Sequence, residues 1–316
     1  MGLMNSSLQI GRNALLSYQS ALQVIGSNIS SVGSPDYTRL TPDLSPLQGS
    51  LLNEGLQPGA GVALSAIHRN IDEALEDRVR LAIGDSQSAS TEQAALAQIE
   101  SFFDDISGAG VATSLNTFFT GFDELQNAPE DIAVRDFTIL NGARLAGALQ
   151  TLRGQLIGIG NDFDGQIADL VIQADEIATQ VAELNERISI SEAGSPGQAT
   201  GLRDQRDALL RGLSEIFDVT VREQPNGTIN VYVGNEALVQ GNFSRGLVAV
   251  QQMDGEFART TVRFADTNSE IISKGGRIVG LIKSRDVHAF GKIESIDTLA
   301  LALLTEVNRL HADGQG

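Results

Sequence analysis

Three histidines, His68, His288 and His311, are the only imidazoles in the chain, and there is no cysteine. The histidines stand far apart and in no ligand spacing, so the sequence writes no metal site. His311, beside Asn308 and Asp313, has the makings of a catalytic dyad. Near the end of a helix, however, the imidazole and the following Gly314 read better as a helix terminus. Asp162-Phe-Asp164-Gly165 opens like a calcium loop but lacks a third ligand and the terminal glutamate at the required offset. Gly158-Ile-Gly160 has no further glycine at the dinucleotide offset and falls inside a helical repeat. Neither a Gly-Lys-Ser/Thr phosphate loop nor a Gly-x-Ser-x-Gly elbow is present. No residue is therefore assigned as catalytic, cofactor-binding or metal-ligating, and neither an enzyme nor a small-molecule substrate is expected.

The pattern that carries information is one of contact. Met4, Leu8, Gly11, Leu15, Tyr18, Leu22, Ile25, Ile29 and Val32 follow one another at alternating spacings of four and three. That is an a/d seam, and a helix bearing it buries the stripe against other helices. Ala14, Ala21 and Asn28 add a second seven-residue row beside the first. Gly33-Ser-Pro35 stops the helix, because glycine permits positive φ and proline forces the preceding residue out of helix. No nearby segment reads as a partner for this helix. Its partners are expected at the far end of the chain or in neighbouring molecules, and without them residues 1–40 are expected to be largely disordered in a free monomer.

The helix runs into Asn28-Ile29-Ser30, followed by Pro35, Tyr37 and Arg39. An amphipathic N-terminal helix with this tail resembles the axial proteins of the bacterial flagellum, the family of rod, hook and hook-associated proteins. Asp36 stands where that family usually has glycine. The resemblance implies an assembly role for the seam, carried here by Leu8, Leu15, Tyr18, Leu22, Ile25 and Ile29.

Further along, Gln57 to Val62 reads as an irregular connection and Val62 to Ile67 as a short strand. A second helix is predicted with Asn70 as N-cap, running to about Ile106 with Leu75, Val79, Ala82, Ala89, Leu96, Ile99 and Phe103 on one side. Its opening, Ile67-His-Arg-Asn-Ile-Asp72-Glu-Ala-Leu75, resembles the start of the family's helical D1 domain. Ser107-Gly-Ala-Gly110 separates it from a shorter helix over Val111 to Asn127. Pro129 then reads as position N1 of the next helix. From Leu145 to Ile188 an apolar stripe keeps spacings of four and three with one extra four at Phe163–Ile167. A helix of that length reaches roughly 65 Å, a rod rather than a core helix. Gly194-Ser-Pro-Gly197 breaks it. The helix that follows carries Asp204, Gln205, Arg206 and Asp207. Read by themselves, Asp204 with Arg203, and Asp207 with Arg206 or Arg211, make weak solvated pairs; one arginine is expected to pin the turn to the rod.

Residues 217–282 alternate like strands. Pro225-Asn-Gly-Thr228 forms a hairpin turn, and the apolar runs through Ile278–Ile282 suggest one small antiparallel sheet. A last helix places Ile293, Ile296, Leu299, Leu303, Val307 and Leu310 on one side. Asp204-Gln205-Arg206-Asp207, with Asn308, His311 and Gly314, resembles the subfamily that joins hook to filament. That subfamily would continue through more of D1 and a C-terminal heptad helix, so the chain is expected to be a shortened version.

The 22 basic against 40 acidic residues give a net charge of −18, which argues against nucleic acid and anionic membrane surfaces. No run of eighteen apolar residues and no basic–apolar leader is present, so neither a membrane span nor a Sec signal is expected. The fold class expected is mainly α with a small β part: a long antiparallel helical bundle or coiled-coil rod plus a small antiparallel sheet. Its expected divisions are a D0-like part (1–45), a D1-like rod (46–216), a β subdomain (217–282) and a returning helix (283–316). The resemblance implies an extracellular, self-assembling flagellar subunit with no cofactor. Its implied partners are further copies, hook protein, the next hook-associated and filament proteins, and an export chaperone bound to a C-terminal part. The alternatives are another axial flagellar subunit or an unrelated coiled-coil signalling or adhesin fragment.

Overall fold

The computed structural model describes residues 2–48, 59–103, 110–194 and 197–314, with side chains from Ser7 onward. Parts of three expected breaks, at 57–58, 104–109 and 195–196, lie outside the described residues, as does the side chain of Met4. The elements are α1 (Gly2–Ser30), β1 (Leu40–Gln48), β2 (Gly59–Arg69), α2 (Glu73–Ser101), α3 (Val111–Asn127), α4 (Ile132–Ser191) and α5 (Thr200–Ile216). Strands β3 (Val219–Glu223), β4 (Ile229–Val233), β5 (Glu236–Gln240), β6 (Phe243–Ser244), β7 (Leu247–Asp254) and β8 (Phe257–Phe264) follow. Then come α6 (Arg277–Lys283), a π-helical turn (Ser284–Ala289) and α7 (Phe290–Asp313). The protein is mainly α with small antiparallel sheets, as its periodicities imply.

Two compact units partition the chain. The first comprises Met1–Ile83 with Ala174–Gly246, the second Gly84–Gln173 with Leu247–Gly316. The first unit holds α1, the β1–β2 ribbon, the end of α4, α5 and a four-stranded sheet in the order β3-β4-β5-β6. Its core joins Val181, Leu184 and Ile188 of α4 with Leu210, Leu213 and Ile216 of α5 and Val231, Leu238 and Val239 of the sheet. In the second unit, Leu145, Leu152, Leu156, Phe163 and Ile167 of α4 are buried, along with Phe118, Val262, Phe264, Ile278 and Ile293. Of the stripe read from Leu145 to Ile188, only Ile177 is less than fully buried.

Several sequence expectations change. Residues 40–48 form β1, paired antiparallel with a β2 that is longer than the strand expected at Val62 to Ile67. The prolines at 42 and 46 hid it, but this is a two-stranded ribbon and every strand in it is an edge, where proline is tolerated. Asp72, not Asn70, caps α2, accepting from the Leu75 amide at 3.1 Å. Asn70 instead donates its backbone N–H to the Arg39 carbonyl at 2.9 Å, closing the ribbon. Of the stripe read on α2, Leu75, Val79, Ala82, Ala89 and Phe103 are exposed, Leu96 is half-buried and Ile99 is buried. Asp131 rather than Pro129 opens α4, accepting from the Ala133 amide at 2.8 Å. Ile278–Ile282 is helix α6, and the remaining strands form a four-stranded sheet and a separate β7–β8 hairpin instead of one sheet. Short apolar runs do not distinguish buried helix from strand, which explains the error at 278–282.

Gly160 of α4 shows how tightly the second unit packs. A Cβ there would lie 2.6 Å from the Phe290 ring. That ring is stacked on Phe257 at 4.3 Å between centroids, so it has little room to retreat. Gly158, two residues earlier in the same helix, meets nothing within 4 Å. In urea unfolding, Gly160→Ala is expected to destabilise by about 1–3 kcal/mol through overpacking. Gly158→Ala is expected to stabilise by about 0.4–1 kcal/mol through the unfolded chain's lost freedom. Equal effects at the two positions would contradict this packing.

Candidate assembly site

The site begins at the C-terminal end of α1. Asn28 sits half-buried there, and its carboxamide does three things at once. It donates to the Leu40 carbonyl at 2.8 Å, accepts from the Leu40 amide at 2.9 Å, and accepts from the Tyr37 hydroxyl at 3.0 Å. A carboxamide is suited to the task because it presents a donor and an acceptor side by side, matching one backbone N–H and C=O. Chain leaving the helix at Gly33, whose φ is +93°, is thereby folded back so that β1 starts beside the helix end. Burial, and secondly the nearby Asp204 carboxylate, raise the Tyr37 phenol above its ordinary value, so it stays a donor. Ser30 turns its hydroxyl back to the Ser27 carbonyl at 3.1 Å, and Ile29 and Arg39 face solvent.

Above that clasp, one face of α1 packs on the ribbon. Ser17 donates to the Val62 carbonyl at 2.8 Å and Asn13 to the Ala60 carbonyl at 3.3 Å. Ser17, Ala21 and Val24 are buried. The residues facing the ribbon are thus Asn13, Ser17, Ala21, Val24 and Asn28, a small-residue row containing the Ala21–Asn28 pair read from the sequence. The expectation that no nearby segment meets this helix is overturned for that face. The heptad seam behaves differently. Leu8 and Leu15 are each 74% exposed, Leu22 and Ile29 68%, and Tyr18 and Ile25 are also open.

The Asp204–Asp207 segment of α5 supports this arrangement from below. Arg69, the last residue of β2, donates to Asp204 Oδ1 through Nε at 3.0 Å and Nη2 at 2.8 Å. It also pairs with Asp207 and reaches Thr38 Oγ1 at 3.1 Å. Both carboxylates therefore serve the ribbon, and the pairs expected with Arg203, Arg206 or Arg211 do not form. Arg211 instead reaches the Pro35 carbonyl and Asp36 Oδ1, each at 3.2 Å. Asp36, the residue that departs from the family pattern, is thus a partner of α5.

Arg206 points the other way, into the core, and is 2% exposed. Its Nη1 donates to Asn185 Oδ1 of α4 at 2.9 Å and to the Gly227 carbonyl of the β3–β4 turn at 2.8 Å. Burial pushes this guanidinium down to about 10, still charged at neutral pH. The turn to which it binds needs Gly227, with φ +80° and no room for a Cβ between Glu192 and Arg203. Gln205 lies on the outer side of the same helix, lining shallow grooves with Leu184 and with Tyr37.

Asn308, His311 and Gly314 fall in the other unit, on the exposed last turns of α7. The helix ends through the Gly314 amide, which donates to the Leu310 carbonyl at 3.1 Å. The His311 side chain makes no cap among the described residues, and Gly314 has an ordinary φ of −74°. Asp164 of the calcium-like stretch is buried against Arg285 instead. Among the described residues no group of three metal-ligating side chains comes together. No helix among them is long and apolar enough to cross a membrane. The arrangement is a set of clasps between chain segments that leaves one apolar helical seam open.

A model of the flagellar hook-associated protein FlgK helical domain matches residues 96–316. The chain is 30% identical over 319 residues to flagellar hook-associated protein 1 of Salmonella typhimurium, covering 98% of this chain and 57% of that one. The Escherichia coli protein of the same name is also 30% identical, with 58% of its length covered, and the Bacillus subtilis one 23% identical, with 67% covered. The flagellar hook junction protein FlgK from Burkholderia pseudomallei superposes with a TM-score of 0.58 at 28% identity, over 66% of this chain and 39% of that one. The chain belongs to the flagellar hook-associated protein FlgK family. It spans a little over half the length of its enterobacterial relatives, 57–58%.

Glu192 is the titrating group that stabilises this region most clearly. It accepts from Arg203 at 2.9 Å through each oxygen and from the Ala199 amide at 3.1 Å, closing the start of α5. Arg203 first, and then backbone amides, hold its carboxyl down to about 2 against an ordinary 4.5. A depressed carboxylate contributes stability that is complete above the unfolded value and is lost as pH falls through the folded one. The loss should run between pH 4.5 and 2 and amount to about 3 kcal/mol at most. Glu192→Gln should flatten that part of a stability-against-pH curve. Parallel acid limbs in variant and wild type would contradict the assignment.

Proposed function

We propose that this chain is a structural, non-catalytic subunit of the bacterial flagellum that joins hook to filament by assembling with further copies of itself. The observation that carries the reading is the open seam of α1: Leu8, Leu15, Tyr18, Leu22, Ile25 and Ile29 stand exposed on a helix whose other face is already occupied. Several large apolar side chains in heptad order suit burial against other helices. Membership of the hook-associated family supports the location, and the names of the relatives support the junction.

In this reading residues 1–45 are the D0-like assembly element and 46–216 the D1-like rod. Residues 217–282 are a β subdomain of D1, and 283–316 its returning helix. The family motif from Asn28 to Arg39 sets the angle at which the assembly helix leaves the body, and the Asp204–Asp207 segment fixes that body against the ribbon. Asn308, His311 and Gly314 mark the end of the returning helix. The subunit meets hook protein on one side and the next hook-associated and filament proteins on the other. It works outside the cell after export without a cleaved Sec signal, and an export chaperone holds a C-terminal part until then.

The test uses the full-length protein carrying Leu15→Asp and Leu22→Asp, returned to cells that lack the wild-type copy. The substitutions lie on the exposed seam, so the purified variant should keep the wild-type circular dichroism and melting temperature. The cells should carry hooks without filaments and swim no better than the deletion strain. Wild-type filaments and motility would refute the seam as the assembly surface.

A further inference from the structure

Between α6 and α7 the chain makes one π-helical turn, Ser284–Ala289, in which the Phe290 amide donates to the Arg285 carbonyl five residues back. Such turns are rare and carry one more residue than the α-helix would. Each extra residue turns everything downstream by about 100°. The π turn therefore decides which way α7 faces, and it needs something to hold it.

The side chains around it supply the hold. Lys283 Nζ donates to Glu92 Oε2 of α2 at 2.9 Å, and His288 Nε2 lies 2.7 Å from Glu92 Oε1. Lys283 and His288 are five residues apart. On an α-helix positions five apart point about 140° away from each other, while the wider π turn brings them towards one side, so the π register favours one carboxylate taking both. On its other side Arg285, 2% exposed, is paired with Asp164 of α4 and donates to the Thr260 carbonyl of β8 at 2.8 Å. Asp286 pairs with Arg285 at 2.8 Å and faces Arg259 at 3.7 Å. Asp164 Oδ2 and Arg259 Nε remain buried without a hydrogen-bond partner. The register is thus held by charge with polar capacity left unused, and not by a fully satisfied core.

We propose that Glu92 is a register lock: by bridging Lys283 and His288 it keeps the π turn in place and sets the rotation of α7. Loss of the bridge lets the turn relax into α-helix and rotates α7. That rotation moves Leu303, Leu304 and Val307, which with Leu145 and Leu149 of α4 line an apolar groove of about 440 Å³. The lock couples α2 to the shape of that groove, a switch between two packings of one helix.

Absence of cysteine lets single spin labels be attached cleanly at introduced Gln155→Cys on α4 and Thr305→Cys on α7, both exposed. Turning a helix ~10–12 Å across by ~100° moves its surface by about 8 Å. Glu92→Ala should displace the main peak of the interspin distance distribution on that scale, and Glu92→Gln, which keeps the shape and loses the charge, should add a minor second peak. Lys292→Ala, an exposed cation away from Glu92, should leave the distribution as it was. An unshifted single peak in both Glu92 variants would overturn the proposal. Should Glu92→Ala fail to fold, Glu92→Gln decides alone.

Discussion

The Asn28 carboxamide, paired with both the amide and the carbonyl of Leu40, closes the end of α1 onto the start of β1. Once that clasp is made, the helix can turn only one face to the ribbon. The face that meets it is the row of small and polar residues, because Ser17 and Asn13 must reach the Val62 and Ala60 carbonyls and Ala21 allows close approach. The large residues of the heptad seam are thereby left outward. Their exposure follows from a choice between two faces and not from poor packing.

The Asp204–Asp207 segment shows how one helical turn can serve two directions. Its first and last residues point outward and hold Arg69 between two carboxylates, while Arg206 points inward to Asn185 and the Gly227 carbonyl. A charge buried this deeply costs desolvation, which its hydrogen bonds to Asn185 and the Gly227 carbonyl offset in part. Arg206 fixes the β3–β4 turn against α4. Arg69, held from α5, fixes the ribbon and, through it, the departure of α1. Arg211 adds a third tie at Pro35 and Asp36.

Much of this was legible in the residues. The heptad seam, the rod stripe from Leu145 to Ile188, the Asn226-Gly227 hairpin and the helical character of 200–216 all follow from spacing and turn chemistry, which act locally. That one arginine of this segment would pin the helix to the rod was also expected, although the sequence did not say which; the one that does is Arg206. What the residues hid is tertiary. Strand β1 is masked by Pro42 and Pro46, whose tolerance depends on the ribbon having only edges. The partnership of Arg69 with Asp204 and Asp207 spans more than 130 positions, and no local rule pairs them. The π turn left no mark either, because the partners of Lys283, His288 and Arg285 are Glu92 and Asp164, more than 100 positions away in the chain.

The most direct measurement is thiol accessibility along α1, since the chain supplies no background cysteine. Leu15→Cys and Ala21→Cys, each introduced singly into the full-length protein, would be exposed to a maleimide in the free subunit and in flagella assembled on cells. The account predicts that the thiol at 15 reacts freely in the subunit and is shielded after assembly, while the thiol at 21 is slow in both. A thiol at 15 that reacts equally in both states, or is already shielded in the free subunit, would contradict it.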